Sequence, residues 1–498
     1  MVRQKLGMRI DHLGEGRIAT SPWTSPDPGS IGAVRPQTGV QGPESPTSST
    51  ETVALRDYLA AAGCEVFGPG TDGYARSTRI WNGAVQHRPA LVARCLTTDD
   101  VQLSLIAAQV HGFQISVRGG GHDWTGRSLR HGGLVLDLSG MRQVAVDSEA
   151  REATVAGGAT AGDVCAAIAS CGLAAVTGYT GGGIGMAGLL LGGGYGALTP
   201  RFGLAADSLI AAKVVLADGQ LVTADQSQNA DLFWALGGGG GNFGVVTSMR
   251  IRLHEARELL AGVILFPWAD VRPVLHGYAE IMSSAPAELA VAAAMSVEDG
   301  CPVIALAPAW SGDRQQGQQV IARLQSLGTP ILSKIGPMTC AEMLARSEAK
   351  FVDGQHYAVQ TRWLRDLTPD AISTLIAAYG VRTSPLSAVM LHHFHGAGAR
   401  IAADATAFGM RDEHFMMLAY SAWQPSVDRD CAVHRQWASD LNSKLAPFAL
   451  PGGYANLLGP NAHEQIAAAY GANARRLGEL KRKFDPENVF SSAIPLPS

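Results

Sequence analysis

The chain has 498 residues, a net charge of −4, and 16% charged side chains against the roughly 25% usual in soluble domains. That length suggests two or three domains, and the near balance of charge offers no basic surface for nucleic acid or an anionic membrane. No apolar run reaches the roughly 18 residues needed to cross a bilayer.

Taken in chain order, residues 1–50 come first. Residues 21–52 are rich in Pro, Ser, Thr and Gly and poor in large apolar side chains, a composition that buries too little surface to offset its ordering entropy. A disordered leader is expected there. It lacks the apolar core of a signal peptide, so a cytoplasmic location is expected. Seven cysteines, an odd number at wide spacings with no CxxC, argue against a disulfide framework or a zinc site and for buried free thiols.

From about residue 51 to 254, short strands and helices alternate with glycine clusters. Residues 113–117 and 133–138 read as strands. Residues 212–216 and 220–223 read as a hairpin about Asp218-Gly219, where Gly accepts positive φ. Residues 255–450 carry fewer glycine clusters and longer helices between strands. Residues 451–498 carry one expected helix, opened by Asn461 with Glu464 three residues later. Its apolar face is Ile466, Tyr470, Leu477, Leu480 and Phe484, and Pro486 ends it.

Four glycine clusters fall within 130 residues, at 119–121, 181–188, 192–196 and 237–244. Glycine serves where backbone must approach a ligand closely, and successive N–H groups in such loops make a concave anion site. A large phosphate-bearing cofactor is the reading; tight turns are the plainer alternative for any one cluster. Gly183, Gly185 and Gly188, with Asp207 nineteen residues on, fit GxGxxG formally, as do Gly239, Gly241 and Gly244. Neither sits between a strand and a long helix, so a dinucleotide-binding Rossmann site is not expected.

The motifs together resemble the berberine bridge enzyme-like flavoproteins of the vanillyl alcohol oxidase and p-cresol methylhydroxylase superfamily, the bacterial members more than the plant ones. They are VRGGGHDWTG (117–126), GLVLDLSGM (133–141), GGGYG (192–196), RFGLAAD (201–207), DLFWA (231–235), YAN (454–456) and KRKFDPENVF (481–490), in the family's order. The resemblance implies an α+β fold. A two-subdomain FAD-binding domain would comprise residues 51–254 and 451–498. A substrate domain at 255–450 would have an antiparallel sheet backed by helices.

It also implies FAD bonded covalently through His122, whose imidazole is a competent nucleophile near neutral pH. The family's second attachment point, a cysteine at or near Gly181, has no counterpart, so a single bond is expected, with a slight tilt towards small or medium-sized substrates. The loop Arg118, Gly119, Gly120, Gly121, His122, Asp123 should cradle the pyrophosphate, with Gly126 in the same motif. Thr180, Gly181, Gly185 and Gly188 should line the ribityl chain and ring, Val246 the adenine side, and Asn456 and Asn488 the flavin.

Tyr454, in the Tyr-x-Asn motif, is the first candidate for a general base; such a role needs a lowered pKa. Residues 391–395 (LHHFH) read as a strand with His393 and His395 on one face and His392 on the other. His393 and His395 are the candidate pocket residues, and a metal reading is disfavoured. The implied activity is an oxidase taking hydride from a CH–OH or CH–NH carbon of a small molecule, with O2 as acceptor and H2O2 as product. The alternatives are a flavin dehydrogenase, an oxidative cyclase, or a flavin-binding protein without catalysis. No nucleic acid, membrane or metal partner is expected.

Overall fold

The structure, a computed structural model, describes residues 49–179, 181–255, 258–348, 351–425, 431–493 and 496. Most of the expected leader lies outside the described residues. The described chain opens with the helix Ser49–Ala61.

The first sheet has the strand order Glu65–Phe67, Leu91–Arg94, Leu134–Asp137, Ile115–Arg118. The last three are mutually parallel and the first is antiparallel. Strand Leu134–Asp137 is buried along its whole length, which explains its apolar run Leu134-Val135-Leu136. The helices Ser49–Ala61 and Thr98–Val110 cover this sheet, sharing a core that includes Leu55, Leu59, Leu105, Ile115 and Leu136. Helix Thr98–Val110 is fixed at its start by a capping box. The Thr97 hydroxyl accepts from the Asp100 N–H at 3.2 Å, and the Asp100 carboxylate accepts from the Thr97 N–H at 2.9 Å.

The second sheet is antiparallel, in the order Val144–Asp147, Glu152–Ala156, Val245–Arg252, Leu209–Val215, Leu221–Asp225. The hairpin about Asp218-Gly219 forms, with Gly219 at φ +80°.

The third sheet is seven-stranded and antiparallel throughout. Its order is Leu332–Met338, Leu259–Pro267, Cys301–Trp310, Leu289–Glu298, Ala388–Phe394, His414–Trp423, His356–Leu364. One face packs on the helices Val271–Met282, Arg314–Gln325, Pro369–Gly380 and Cys431–Lys444. Period-2 alternation divides the strand His414–Trp423: Phe415, Met417 and Ala419 enter the helix-side core, while Met416, Leu418 and Tyr420 point the other way.

The C-terminal residues return to the first part of the chain, and the single helix expected there is two. His463–Ala468 and Ala474–Phe484 are separated by a turn of 3-10 helix at Gly471–Asn473, because Gly471 stands at φ +50°, outside helical space. The first of these starts after Ala462 without a side-chain cap, so Asn461 does not open it. Buried Asp485 organises the turn after the second helix. Its carboxylate accepts from Lys481 Nζ at 2.6 Å and from the N–H groups of Val489 and Phe490 at 2.8 and 2.9 Å. Lys481 also donates to the Asn242 carbonyl at 2.9 Å, which ties the last glycine cluster to the closing motif. Asp485→Ala orphans two amides and removes the counter-ion of a largely buried ammonium, and is expected to cost about 2–3 kcal/mol, read as a lowered denaturant midpoint at unchanged slope.

The cysteines are all free, as expected, but burial is partial: Cys64, Cys95 and Cys165 are buried and Cys301 is exposed. No described helix is long and apolar enough to cross a membrane.

Candidate active site

A long cavity runs between the first two sheets and opens against the free face of the third. The strand Ile115–Arg118 delivers the first glycine cluster to its wall. Behind that loop the Arg118 guanidinium pairs with buried Asp137 at 3.2 Å and lies against Gly121. Arg118 therefore braces the loop from outside the cavity and does not line it. Gly119, Gly120, Gly121, His122 and Asp123 do line it. The loop crosses so close to the second cluster that a Cβ on Gly120 would lie 2.4 Å from the Gly185 nitrogen. The backbone N–H groups of residues 119–123 donate to no other described residue. A row of free amides beside a tightly apposed second glycine loop fits a phosphate-bearing cofactor.

Gly185, Gly188, Val246, Tyr454 and Asn456 line the same cavity. Thr180 lies outside the described residues. Gly181, Gly126 and Asn488 are not on the wall. Gly181 belongs to the turn whose Gly182 N–H donates to Glu348 at 3.1 Å, and Gly126 sits in a turn packed against Val85. Asn488 sits at φ +52° in the turn made by Asp485, which sends Phe490 and Ser492 to the cavity in its place.

His122 is held by Trp81, whose indole stacks on the imidazole at 5.5 Å and donates to the His122 carbonyl at 3.1 Å. Burial pushes the imidazole pKa below its ordinary value, against the pull of Glu348 and Asp123, so the ring is neutral at pH 7. Asp123 faces its own loop, accepting from the N–H groups of Thr125 and Arg127 and pairing with the Arg127 guanidinium at 2.9 Å. Trp81 and Arg127 carry no motif that sequence reasoning could have weighed.

Tyr454 is buried, and its hydroxyl accepts from the Gly194 N–H and from Asn456 Nδ2, both at 3.1 Å. Burial raises the phenol's pKa more than these donors lower it, so the hydroxyl is protonated at neutral pH.

On the histidine strand the expected alternation holds, but the expected face is corrected: the opposite one meets the cavity. His392, paired in register with Met416, points into it. His393 stacks on Phe415 at 4.3 Å and on His395 at 4.7 Å, and His395 reaches the Leu289 carbonyl at 3.1 Å. Because Phe415 belongs to the helix-side core, His393 and His395 are on the far side of the sheet from the cavity. Of the strand His356–Leu364, Val359 lines the cavity, whereas Tyr357, Arg362 and Trp363 do not. No group of three or more metal-ligating side chains occurs among the described residues.

Asp207, at the spacing of a ribose-binding acid, has a structural partner: it receives both ends of the Arg411 guanidinium, at 2.8 and 2.9 Å.

Fold and cavity together define a two-domain enzyme with a flavin-type nucleotide site. The FAD binding domain family model matches residues 89–225, and the berberine and berberine-like model matches residues 453–497. The chain is 32% identical over 450 residues to (R)-6-hydroxynicotine oxidase of Paenarthrobacter nicotinovorans, covering 86% of this chain and 95% of that protein. Crystalline 6-hydroxy-D-nicotine oxidase from Arthrobacter nicotinovorans superposes with a TM-score of 0.78 at 28% identity, over 87% of this chain and 98% of the other. Glucooligosaccharide oxidase from Acremonium strictum, a protein with a 6-S-cysteinyl, 8α-N1-histidyl FAD, shares the fold at TM-score 0.79 and 23% identity, over 89% of this chain and 99% of the other. The chain belongs to the berberine bridge enzyme-like family of FAD-linked oxidoreductases, with the p-cresol methylhydroxylase type of FAD-binding fold. It is an FAD-dependent oxidoreductase.

Proposed function

We propose that the protein is an oxidase that removes a hydride from the CH–OH or CH–NH carbon of a small or medium-sized organic molecule, with O2 as final acceptor and H2O2 as product. The observation that carries this reading is the continuity of one cavity from the free amides of residues 119–123 to Tyr454 and the third sheet. Oxidase relatives support it. When bound, FAD supplies the two-electron acceptor.

The chain's own residues do the rest. Residues 51–254 and 451–498 form the cofactor domain, and residues 255–450 form the domain that presents the substrate. Gly119 to Asp123 hold the pyrophosphate, and Gly185, Gly188, Val246 and Asn456 bound the rest of the cofactor. His122 is the single covalent anchor; no cysteine lines the cavity among the described residues. Tyr454, with both acceptor positions filled by Gly194 and Asn456, directs its remaining O–H at the substrate heteroatom and orients the reacting carbon. The free cysteines suit a reducing, cytoplasmic location.

Simultaneous oxygen-electrode and peroxide measurements during turnover test the reading. Equal consumption and release support an oxidase; turnover with an artificial acceptor but without oxygen uptake would replace it by a dehydrogenase. Tyr454→Phe is expected to lower kcat about 100-fold with a smaller change in KM.

A further inference from the structure

The end of the cavity walled by the third sheet has an unusual chemical make-up. Its side chains are Tyr179, Phe351, Val359, Met416, Leu418 and Tyr420, all aromatic or aliphatic in body. Among the described residues that line the cavity, no lysine or glutamate appears, and the one aspartate and one arginine, Asp123 and Arg127, neutralise each other at 2.9 Å. Among the described lining residues a charged substrate would therefore find no counter-ion, and burying it there would cost several kcal/mol. A polyol would leave most of its hydroxyls without partners.

Within this apolar wall stands one imidazole. His392 is almost fully buried, its ring lies 4.1 Å from that of Tyr179, and neither ring nitrogen has a hydrogen-bond partner among the described residues. Nδ1 is fully buried, a rare state for a nitrogen without a partner, so Nε2 is the ring nitrogen that a molecule in the cavity can meet. Burial lowers the imidazole's pKa to about 4, so at neutral pH it carries no charge and keeps an acceptor nitrogen.

We propose that this end of the cavity selects a neutral, mainly aromatic substrate carrying one hydroxyl, and that His392 is the residue that hydrogen-bonds that group. The inference rests on the oxidase reading above and narrows it to a substrate class. An aromatic body is matched by the Tyr179, Phe351 and Tyr420 rings, and the substrate's single polar group bonds Nε2 of an imidazole that has no other partner among the described residues.

Purified flavin-loaded protein is titrated with five probes while the visible flavin band is followed: naphthylmethanol, methylnaphthalene, naphthoate, naphthylmethylammonium and cellobiose. Naphthylmethanol is expected to perturb the band saturably and to bind about ten-fold or more tightly than the two ions and the sugar. In His392→Phe, which keeps a flat ring but removes the nitrogen atoms, naphthylmethanol is expected to weaken about ten-fold while methylnaphthalene is unchanged. That split separates a hydrogen bond from a packing effect. Equal weakening of both probes would overturn the role of His392. Tighter binding of an ion or of cellobiose would overturn the substrate class, as would silence from all five probes in a preparation whose flavin bleaches with dithionite and recovers in air. A preparation with no bound flavin would overturn the underlying oxidase reading and this inference with it.

Discussion

On acid precipitation a His122→Ala variant is expected to release all its flavin colour into the supernatant, while the wild-type pellet stays yellow. The expectation rests on position and protonation together. Burial keeps the imidazole neutral, which is the nucleophilic form, and the Trp81 stack and its hydrogen bond to the His122 carbonyl fix the ring at the cavity wall. Alanine removes the proposed anchor but leaves the free amides of residues 119–123 and the apposed Gly185 loop intact. The native variant is therefore expected to be yellow before acid treatment, so loss of the bond is separable from loss of the site. Colour retained in the variant's pellet would move the attachment to another side chain. Colour lost from the wild-type pellet would make the flavin noncovalent.

Arg411→Ala is expected to cost about 3–5 kcal/mol, a large share of the roughly 5–15 kcal/mol that a folded domain commands. The Arg411 and Asp207 side chains are only 4% and 6% exposed. Beyond its two bonds to Asp207, the guanidinium donates to the Thr406 hydroxyl at 2.8 Å and to the carbonyls of Gly398 and Phe408, both at 3.2 Å. It thus joins the loop after strand Ala388–Phe394 to the segment that comes after the GGGYG motif. Truncation leaves a buried carboxylate whose remaining partner among the described residues is the Leu204 N–H at 2.7 Å. Lysine at 411 cannot reproduce the planar fork and is expected to restore less than half of the loss. Guanidinium chloride unfolding of the three proteins decides the matter; a loss below about 1 kcal/mol would mean that water replaces the ion pair.

Much of the cofactor side was legible in the sequence because glycine spacing reports backbone directly. Where chain must approach chain, as at Gly120 against Gly185, few other residues fit, and the position shows without knowledge of the fold. The substrate side was less legible for the opposite reason. Alternation along residues 391–395 separates His392 from His393 and His395, but which face meets the cavity depends on partners such as Phe415, supplied by another strand. Asp207 shows the same limit: its spacing from a glycine run fits a dinucleotide motif only formally, context speaks against that reading, and its actual partner, 204 residues away, could not be read from the sequence. The break at Gly471 was obscured because Tyr470 continues the apolar pattern of a helix while serving as part of the cavity wall. Trp81 had no local signature, since its role exists only once His122 is beside it.

The two halves of the cofactor pocket are synthesised far apart in time. The indole of Trp124 donates to the carbonyl of Leu457, which lies 333 residues later in the chain. Tyr454, Asn456, Tyr470 and Phe490 close a wall whose opposite side is set by residues 119–123. At about 5–20 residues per second, the early half of this pocket waits on the order of 20–60 s for its late half. During that interval a nascent chain presents an apolar trough with no lid, and flavin cannot be fully enclosed. Capture of the cofactor is thus a late event of biosynthesis, and the yield of soluble protein should track flavin supply and chaperone capacity in the producing cell.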